Sequence, residues 1–453
     1  MMMKSAIVLA AGKGTRMKSI HNKVMHPVAN KPMIGHIISA LKKCDIENIM
    51  VIVGHGAESV KEYLQDEVQY ALQSEQLGTG HALMQARAFE HFDGDTIILC
   101  GDGPLIQPET IQKAFEANQD HALTVLTAQL KDGENYGRIV RNKEGYVEKI
   151  VEAKDCNEEE KKIKEINTGI FCFKNKLLFE GLNEITNKNA QQEYYLTDLV
   201  EIFRKKQYSV NAMVVEDPQE TMGVNDRVDL AKAQQWMKRF INHKHMMQGV
   251  SIIDPENTYI DADVEIGKDT IIYPNVHIQG KTKIGEHVLI LPNSFLCNAH
   301  IEDGVTIDSS KIVDSYVGAH TVVGPMSHLR NHAHVEENVR IGNFVEFKNA
   351  NFGKGSKCAH LTYIGDSDIG ERVNVGCGVV TVNYDGKKKH RTIVGNDAFI
   401  GSNCNLVAPV TIGENALLAA GSTITDNVDN GDMGIARARQ VNKEGYGTKW
   451  KKK

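Results

Sequence analysis

Between the first apolar stretch of the chain and its first amphipathic segment stands Leu9-Ala10-Ala11-Gly12-Lys13-Gly14-Thr15-Arg16-Met17. Small residues let backbone N–H groups approach phosphate oxygens, and Lys13 and Arg16 supply countercharge, so the stretch suits a phosphate-binding loop. Its spacing is neither the Walker pattern nor the GxGxxG dinucleotide fingerprint, and a plain tight turn fits the same residues. Asp102 follows an apolar run that ends at Cys100. Ligands of open α/β sheets collect at the carboxyl ends of strands. A carboxylate there, beside a phosphate loop, suits Mg²⁺, which takes one or two protein oxygens and leaves the rest to phosphate and water; a turn Asp beside Pro104 is the alternative. Gln73-Ser-Glu-Gln-Leu-Gly-Thr-Gly80 offers amides able to read a pyrimidine edge and a glycine turn able to pack under its ring.

These residues need a scaffold, and residues 1–227 alternate apolar strands with amphipathic segments. Ser5–Ala11 reads as a strand, Met33–Lys42 as a helix, Asn48–Gly54 and Thr96–Cys100 as further strands. The alternation predicts an α/β domain with a mostly parallel sheet. Between Val228 and Met247, Leu230, Ala233, Met237, Phe240 and Ile241 share one helical face, which predicts a joining helix. His243 and His245 are two apart and point to different sides of it, so they read as solvated basic residues and not as a metal pair.

The second half carries a different period. Ile260, Ile266, Ile272, Ile278, Ile284, Ile290 and Leu296 stand six apart; Val317, Val323, Leu329, Val335 and Ile341 repeat the spacing; Val394, Ile400, Leu406, Ile412, Leu418 and Ile424 resume it. Six is a multiple of the strand period of two, so in extended chain all these side chains face one way, whereas on a helix they would spread around the cylinder. Two residues before the rungs of the last ladder stand Thr392, Ala398, Cys404, Val410, Ala416 and Ser422, small enough for a thin interior on the same face. Gly267, Gly285, Gly342, Gly395, Gly401 and Gly413 directly follow rungs, where a corner calls for backbone freedom. Three six-residue sides close a triangular coil, and stacked coils form a parallel β-helix. The register slips between Leu296 and Val317. From Cys377 to Arg391 the stretch Asn383-Tyr-Asp-Gly386, followed by Lys387, Lys388 and Lys389, reads as a loop extruded from a coil.

Composition bounds the rest. The chain has 453 residues, more than one core usually supports, so at least two domains are expected. A formal net charge of −6 gives no basic footprint for duplex nucleic acid or an anionic membrane. Eight scattered cysteines without CxxC spacing read as reduced core residues. The apolar stretch near the amino end stops at Gly12 and reads as a strand, not a signal peptide. With no apolar run near the length of a membrane span, a cytoplasmic protein is expected.

The order of motifs is LAAGKGTRM, Lys23, QLGTGH, GDGPL, YGRI, EINTG and GVNDR, then in the repeat region GNFVE, HLTYIGD and NYDG, ending at Lys443-Glu-Gly445. By these motifs the whole chain resembles the bacterial bifunctional N-acetylglucosamine-1-phosphate uridylyltransferases and glucosamine-1-phosphate acetyltransferases. The resemblance implies a Rossmann-like nucleotidyltransferase domain over 1–227, a helical linker over 228–248, and a left-handed parallel β-helix of hexapeptide repeats over 249–453 that carries acetyl transfer. It implies UTP and UDP-sugar contacts at Leu9, Ala10, Ala11, Gly12, Lys23, Gln73, Gly78, Thr79, Gly101, Asp102, Gly137, Glu152, Asn167 and Asn225, with Arg16 and Lys23 on phosphates and Mg²⁺ on Asp102 and Asn225. In the second domain it implies His360 as proton acceptor. Arg330, Lys348, Tyr363, Asn374 and Lys389 would bind the acceptor sugar phosphate, and Cys377, Asn383, Tyr384, Ser402, Ala420 and Arg437 acetyl-CoA. Cys377 stands where the family has alanine. A homotrimer assembled through the β-helix is implied as well, with no nucleic-acid or membrane partner.

Two other readings compete. In one, the β-helix of a sugar-1-phosphate nucleotidyltransferase only regulates or oligomerises; His360 with Arg330 and Lys348 speaks against it. In the other, the chain is a non-catalytic scaffold that senses sugar nucleotides.

Overall fold

In the computed structural model, which describes residues 3–133, 136–189 and 191–451, the apolar runs of the amino-terminal half become strands of one sheet. Lys452 and Lys453, at the end of the basic stretch Lys449-Trp-Lys-Lys-Lys453, lie outside the described residues. Seven of the strands are β1 (Met3–Ala10), β2 (Asn48–Val53), β3 (Gln69–Leu72), β4 (Gly94–Cys100), β5 (Leu123–Gln129), β6 (Glu165–Lys174) and β7 (Val210–Val214). They lie in the order β7-β5-β6-β4-β1-β2-β3, and only β6 runs against its neighbours. A further pair, Arg138–Arg141 and Val147–Val151, attaches at β6. Consecutive residues Ala6, Ile7 and Val8 of β1 are all fully buried. That is the mark of a strand covered on both faces, and it explains why β1 reads as a continuous apolar run and not as an alternation. The helix Met33–Lys42 falls where its period predicts.

The order of strands positions the site. β1 and β4 are neighbours in parallel register, Leu9 opposite Cys100, so the loop after one and Asp102 after the other emerge side by side at the carboxyl edge. The bond from Gly101 N–H to the Leu9 carbonyl, 2.8 Å, ties them together.

The chain divides into two compact units, Met1–Met237 and Lys238–Lys453, and the helix Arg227–Met247 runs across that division. Ala233, Met237 and Ile241 of its apolar face are buried, but Phe240 is exposed. The reading of both histidines as solvated needs correction at one of them: His243 is exposed, whereas His245 is 5% exposed, its Nδ1 without a hydrogen-bond partner among the described residues. Two residues is about 200° around a helix, enough to put one ring in solvent and the other in the core.

From Ser251 onward the second unit is one sheet of 26 strands among the described residues, wound into coils whose flat sides pair in parallel with the coils before and after. Every rung of the three ladders is buried except Ile266, which is half-buried. The small residues Thr392, Ala398, Cys404, Val410, Ala416 and Ser422 are buried on the same interior face. Pairing also explains the broken spacing. Ile271 pairs with Leu289, eighteen residues on; His300 pairs with Tyr316, only sixteen on; Asn374 pairs with Phe399, twenty-five on. The ladder therefore slips where a corner loses residues, and the extra length near 383–391 is the extruded loop.

The glycines that follow rungs have a different cause from the one expected. None of the six has a positive φ. A Cβ on Gly342 would stand 1.9 Å from the Ala359 carbonyl oxygen, and one on Gly267 2.5 Å from Gly285 carbonyl carbon of the next coil. They are required by the close approach of stacked backbones, while left-handed corners go mostly to Asn, Asp and His, such as Asn275, Asn293 and Asp314.

Candidate functional site

The loop after β1 turns through Gly14, at φ +58, into a short 3₁₀ turn over Thr15–Met17. A Cβ on Gly14 would lie 2.6 Å from the Cβ of Lys23, so the missing side chain brings loop and lysine together, while at Gly12 the space stays open. Lys23 begins its own 3₁₀ turn, capped by the Asn22 side chain, which accepts from Val24 N–H. The same Asn22 amide donates to the His55 carbonyl at 2.7 Å and anchors the turn to the segment after β2.

At this point four side chains converge. The Lys23 ammonium pairs with the Asp102 carboxylate and donates to Asn225 Oδ1 at 3.0 Å; Arg16 Nη2 donates to the same oxygen at 2.8 Å. Val224 N–H bonds the Asp102 carbonyl at 2.9 Å, which fixes the two segments against each other. The four sit on a cavity of about 540 Å³ together with Leu9, Ala10, Ala11, Gly12, Gln73, Gly78 and Thr79. Gly78 (φ +105) leaves no room for a Cβ, which would meet the Tyr194 carbonyl oxygen at 2.6 Å; that contact seats the Gln73–Gly80 segment. Gln73 is buried and donates to the Gly78 carbonyl at 3.1 Å.

Gly137, Glu152 and Asn167 do not line this cavity. They form a second group: Asn167 N–H bonds the Gly137 carbonyl at 2.8 Å, and Glu152 Oε2 lies 3.5 Å from where a Gly137 Cβ would be. Burial pushes the Glu152 carboxyl above its ordinary value against the hydrogen bond from Thr197. Nearby, burial with Glu201 and Glu152 raises Asp198 to about 6.

Lys13, Gln76, Cys100 and Glu193 also line the cavity. Glu193 arrives through the packing of Tyr194 on Gly78, a long-range contact with no local sequence signal. Burial pushes the Cys100 thiol up to about 12, and its Sγ donates to the Gly169 carbonyl.

The Asp102 and Asn225 oxygens are hard donors already receiving a cationic ammonium, which fits a Mg²⁺ ion that draws its remaining ligands from phosphate. No group of three or more His, Cys, Asp or Glu able to hold a metal exists among the described residues.

In the second unit, pairs Lys357–Asn374 and Tyr363–Val380 put His360 and Cys377 at the same corner of adjacent coils. Asn374–Phe399 and Val380–Asn405 continue the column to Ser402, and Phe399–Leu417 to Ala420. His360, Cys377, Ser402 and Ala420 are all exposed along this edge, and a Cβ on Gly421 would lie 3.9 Å from Arg437 Cδ. Cys377 thus departs from the buried cysteines expected; Cys44, Cys156, Cys172, Cys358 and Cys404 are buried.

On the next flat side, Arg330 and Lys348 pair in register. Arg330 is held by Glu346 at 2.6–2.7 Å. Contact with Lys389, followed by burial, holds Lys348 below the usual lysine range, so two cationic side chains meet there. Tyr363 lies over Gly365, where a Cβ would meet its hydroxyl at 2.3 Å. The extruded loop is braced by Asp385, which accepts from Lys387 and Lys388 N–H and pairs with His390 at 2.7 Å. These bonds, with left-handed Gly386, bring Lys389 back beside Tyr384.

The nucleotidyl transferase family pattern matches residues 5–245, and the bacterial transferase hexapeptide pattern (six repeats) matches 263–298 and 391–426. The stretch between the two hexapeptide matches includes the shortened coils and the extruded loop. The Bifunctional protein GlmU of Geobacillus sp. (strain WCH70) is 52% identical over 453 residues, 98% of this chain and 98% of that protein. Those of Clostridioides difficile (strain 630) and Shouchella clausii (strain KSM-K16) are 52% and 50% identical, each over 97% of this chain and 96% and 98% of their own.

Proposed function

Because the chain belongs to the family of bifunctional N-acetylglucosamine-1-phosphate uridylyltransferases and glucosamine-1-phosphate acetyltransferases, we propose that its two clusters of residues perform the two steps, one in each unit. The chain is a bifunctional transferase. Acetyl passes from acetyl-CoA to the amine of glucosamine 1-phosphate, and the product takes uridylyl from UTP with release of pyrophosphate. UDP-N-acetylglucosamine results, a precursor of peptidoglycan and other envelope polymers.

The observation that carries the reading is the meeting of Arg16, Lys23, Asp102 and Asn225 beside the small-residue loop. The attacking sugar-phosphate oxygen is already anionic, so the first unit needs no general base. Arg16 and Lys23 align the phosphates and oppose the charge that builds as the oxygen bonds the α-phosphorus and its bond to pyrophosphate breaks. Asp102 and Asn225 would hold Mg²⁺, which supplies further positive charge to the phosphate oxygens. Gly12, without a side chain, lets the loop backbone approach the nucleotide. Glu152, Gly137 and Asn167 would hold the sugar.

In the second unit the nucleophile is an amine that must lose a proton as it attacks, and His360 at the exposed corner would accept it. Arg330, Lys348 and Lys389 would bind the acceptor's phosphate, Tyr363 and Asn374 its sugar. The column Cys377–Ser402–Ala420, with Arg437 and the loop residues Asn383 and Tyr384, would lie along acetyl-CoA.

A homotrimer through the β-helix is supported by Phe344 and Leu361, which are more than 60% exposed and left-handed at φ +56 and +38. Bulky apolar residues held there against their backbone preference suit burial by another copy. No helix among the described residues is long and apolar enough to cross a membrane, and substrates made inside the cell suit a cytoplasmic enzyme. Incubation with glucosamine 1-phosphate, acetyl-CoA, UTP and Mg²⁺, read by mass, should give UDP-N-acetylglucosamine and free CoA together; product without CoA release would refute the two-step reading.

A further inference from the structure

Asn349, Asp366 and Asn383 occupy the same corner of three successive coils, seventeen residues apart. Asp366 is 7% exposed and sits at φ +46. Its Oδ1 accepts from Asn349 Nδ2 of the coil before at 2.6 Å, and its Oδ2 accepts from Asn383 Nδ2 at the root of the extruded loop. The same Asn383 amide reaches the Tyr363 hydroxyl at 3.4 Å. The Gly365 N–H, one residue before, bonds Thr381 Oγ1 at 2.7 Å and locks the backbone that presents the carboxylate. Burial opposes the charged form of Asp366, but the two amides and the Lys348 and Lys389 ammoniums outweigh it and hold the carboxyl below its ordinary value.

We infer that Asp366 is a positioning residue for acetyl transfer, the buried carboxylate that fixes Asn383 to the coil beside the Lys348–Lys389 pair. The inference rests on the assignment of acetyl transfer to this corner. Asp366 is buried at the corner and uses both oxygens on amides, so it acts through its neighbours and not on substrate. Its charge also sits where an anion-binding pair would be stronger without it. A residue kept there at the expense of phosphate attraction is explained by geometry: it bonds the root of the extruded loop to the coil that carries Tyr363 and, through Asn349, to the coil that carries Lys348.

Asp366→Asn tests this with little change of shape. Asn adopts the left-handed region readily, so the corner should survive, but one acceptor oxygen becomes an NH₂ facing another NH₂, and one of the two ties breaks. The expected result is a fall in kcat for acetyl transfer of roughly tenfold or more, on the scale at which small misplacements act. The KM for acetyl-CoA should rise, while the KM for glucosamine 1-phosphate stays level or falls because the subsite gains positive charge. A general loosening would raise both KM values. Asn383→Ala, which removes the same tie from the loop side, should reproduce the loss, and the double variant should be no worse than the more impaired single. Wild-type kinetics in Asp366→Asn, a rise of both KM values, or multiplying losses in the double variant would overturn the inference. His360→Ala run in parallel separates the two failures. If it is inactive while Asp366→Asn is intact, only the positioning role falls; if it stays active, the assignment of the corner falls with it.

Discussion

The Lys23 ammonium stands 3.0 Å from Asn225 Oδ1, although 202 residues of chain separate them. The Asp102 carboxylate takes the same ammonium. One cation bridging two oxygens, one from just after β4 and one from just before the helix Arg227–Met247, means that the Lys23 turn and these two segments are registered against one another before any substrate arrives.

Lys23→Ala removes that bridge. Uridylyl transfer should fall by roughly 10²–10³ in kcat, the range seen when one preorganised donor to developing charge is deleted, while acetyl transfer is untouched. Pyrophosphate release and CoA release, followed on the same preparation, decide it; an equal loss of both would mean the two sites are not independent.

Asp102→Asn keeps the shape and removes the charge. The Mg²⁺ concentration for half-maximal uridylyl transfer should rise severalfold, and metal binding by the nucleotide-loaded protein, read by calorimetry, should weaken in step. An unchanged Mg²⁺ titration would take Asp102 out of the metal site.

His360→Ala should lower acetyl transfer by roughly 10²–10⁴, the span of general-base contributions. Uridylyl transfer from added N-acetylglucosamine 1-phosphate should remain near normal. Retained acetyl transfer would assign the proton to another group.

Cys377 is the exposed cysteine of the eight, at the corner next to His360. A thiol reagent should slow acetyl transfer and spare uridylyl transfer, because Cys100, half-buried on the nucleotide cavity, has its thiol pushed up to about 12 and reacts poorly as a protonated thiol. Cys377→Ala should resist the reagent. Equal inhibition of both activities would count against this corner as the acetyl-transfer edge.

His245 supplies a test on stability. Burial, then Lys244, lowers its pKa from 6.5 to about 4. The unfolded chain therefore takes up a proton as pH falls through 6.5 and the folded chain does not until about 4, so folding is opposed across that window. The effect amounts to on the order of 3 kcal/mol by pH 4. The thermal midpoint should decline more steeply between pH 6.5 and 4.5 in the natural protein than in His245→Met; parallel curves would show that the ring is not the cause.

What the chain discloses before folding depends on the range of the interaction. The rungs from Ile260 to Leu296 and Val394 to Ile424 are legible because a period of six is a local property, and the loop with Lys13 and Arg16 is legible because it follows an apolar strand. Glu193 is not, since it reaches the nucleotide cavity only through the packing of Tyr194 against Gly78. The coil corners mislead for a related reason: Gly267 and Gly342 look like turn formers, and only the stacked neighbour reveals that they are there to leave room. Asp366 carries no local signal; only the coils before and after it place an amide on each of its oxygens. His245 could be told from His243 only by which side of the helix meets a core, a question the spacing raises and cannot answer.

The twenty-five-residue step between Asn374 and Phe399 carries one last consequence. Tyr363–Val380 closes the ladder before the loop and Ser367–Thr392 reopens it directly after, so the excursion disturbs neither adjoining coil. A corner of this scaffold is a port: new segments can be grafted there without redesigning the interior, and the chemistry of the edge can diversify while the β-helix beneath it is inherited unchanged.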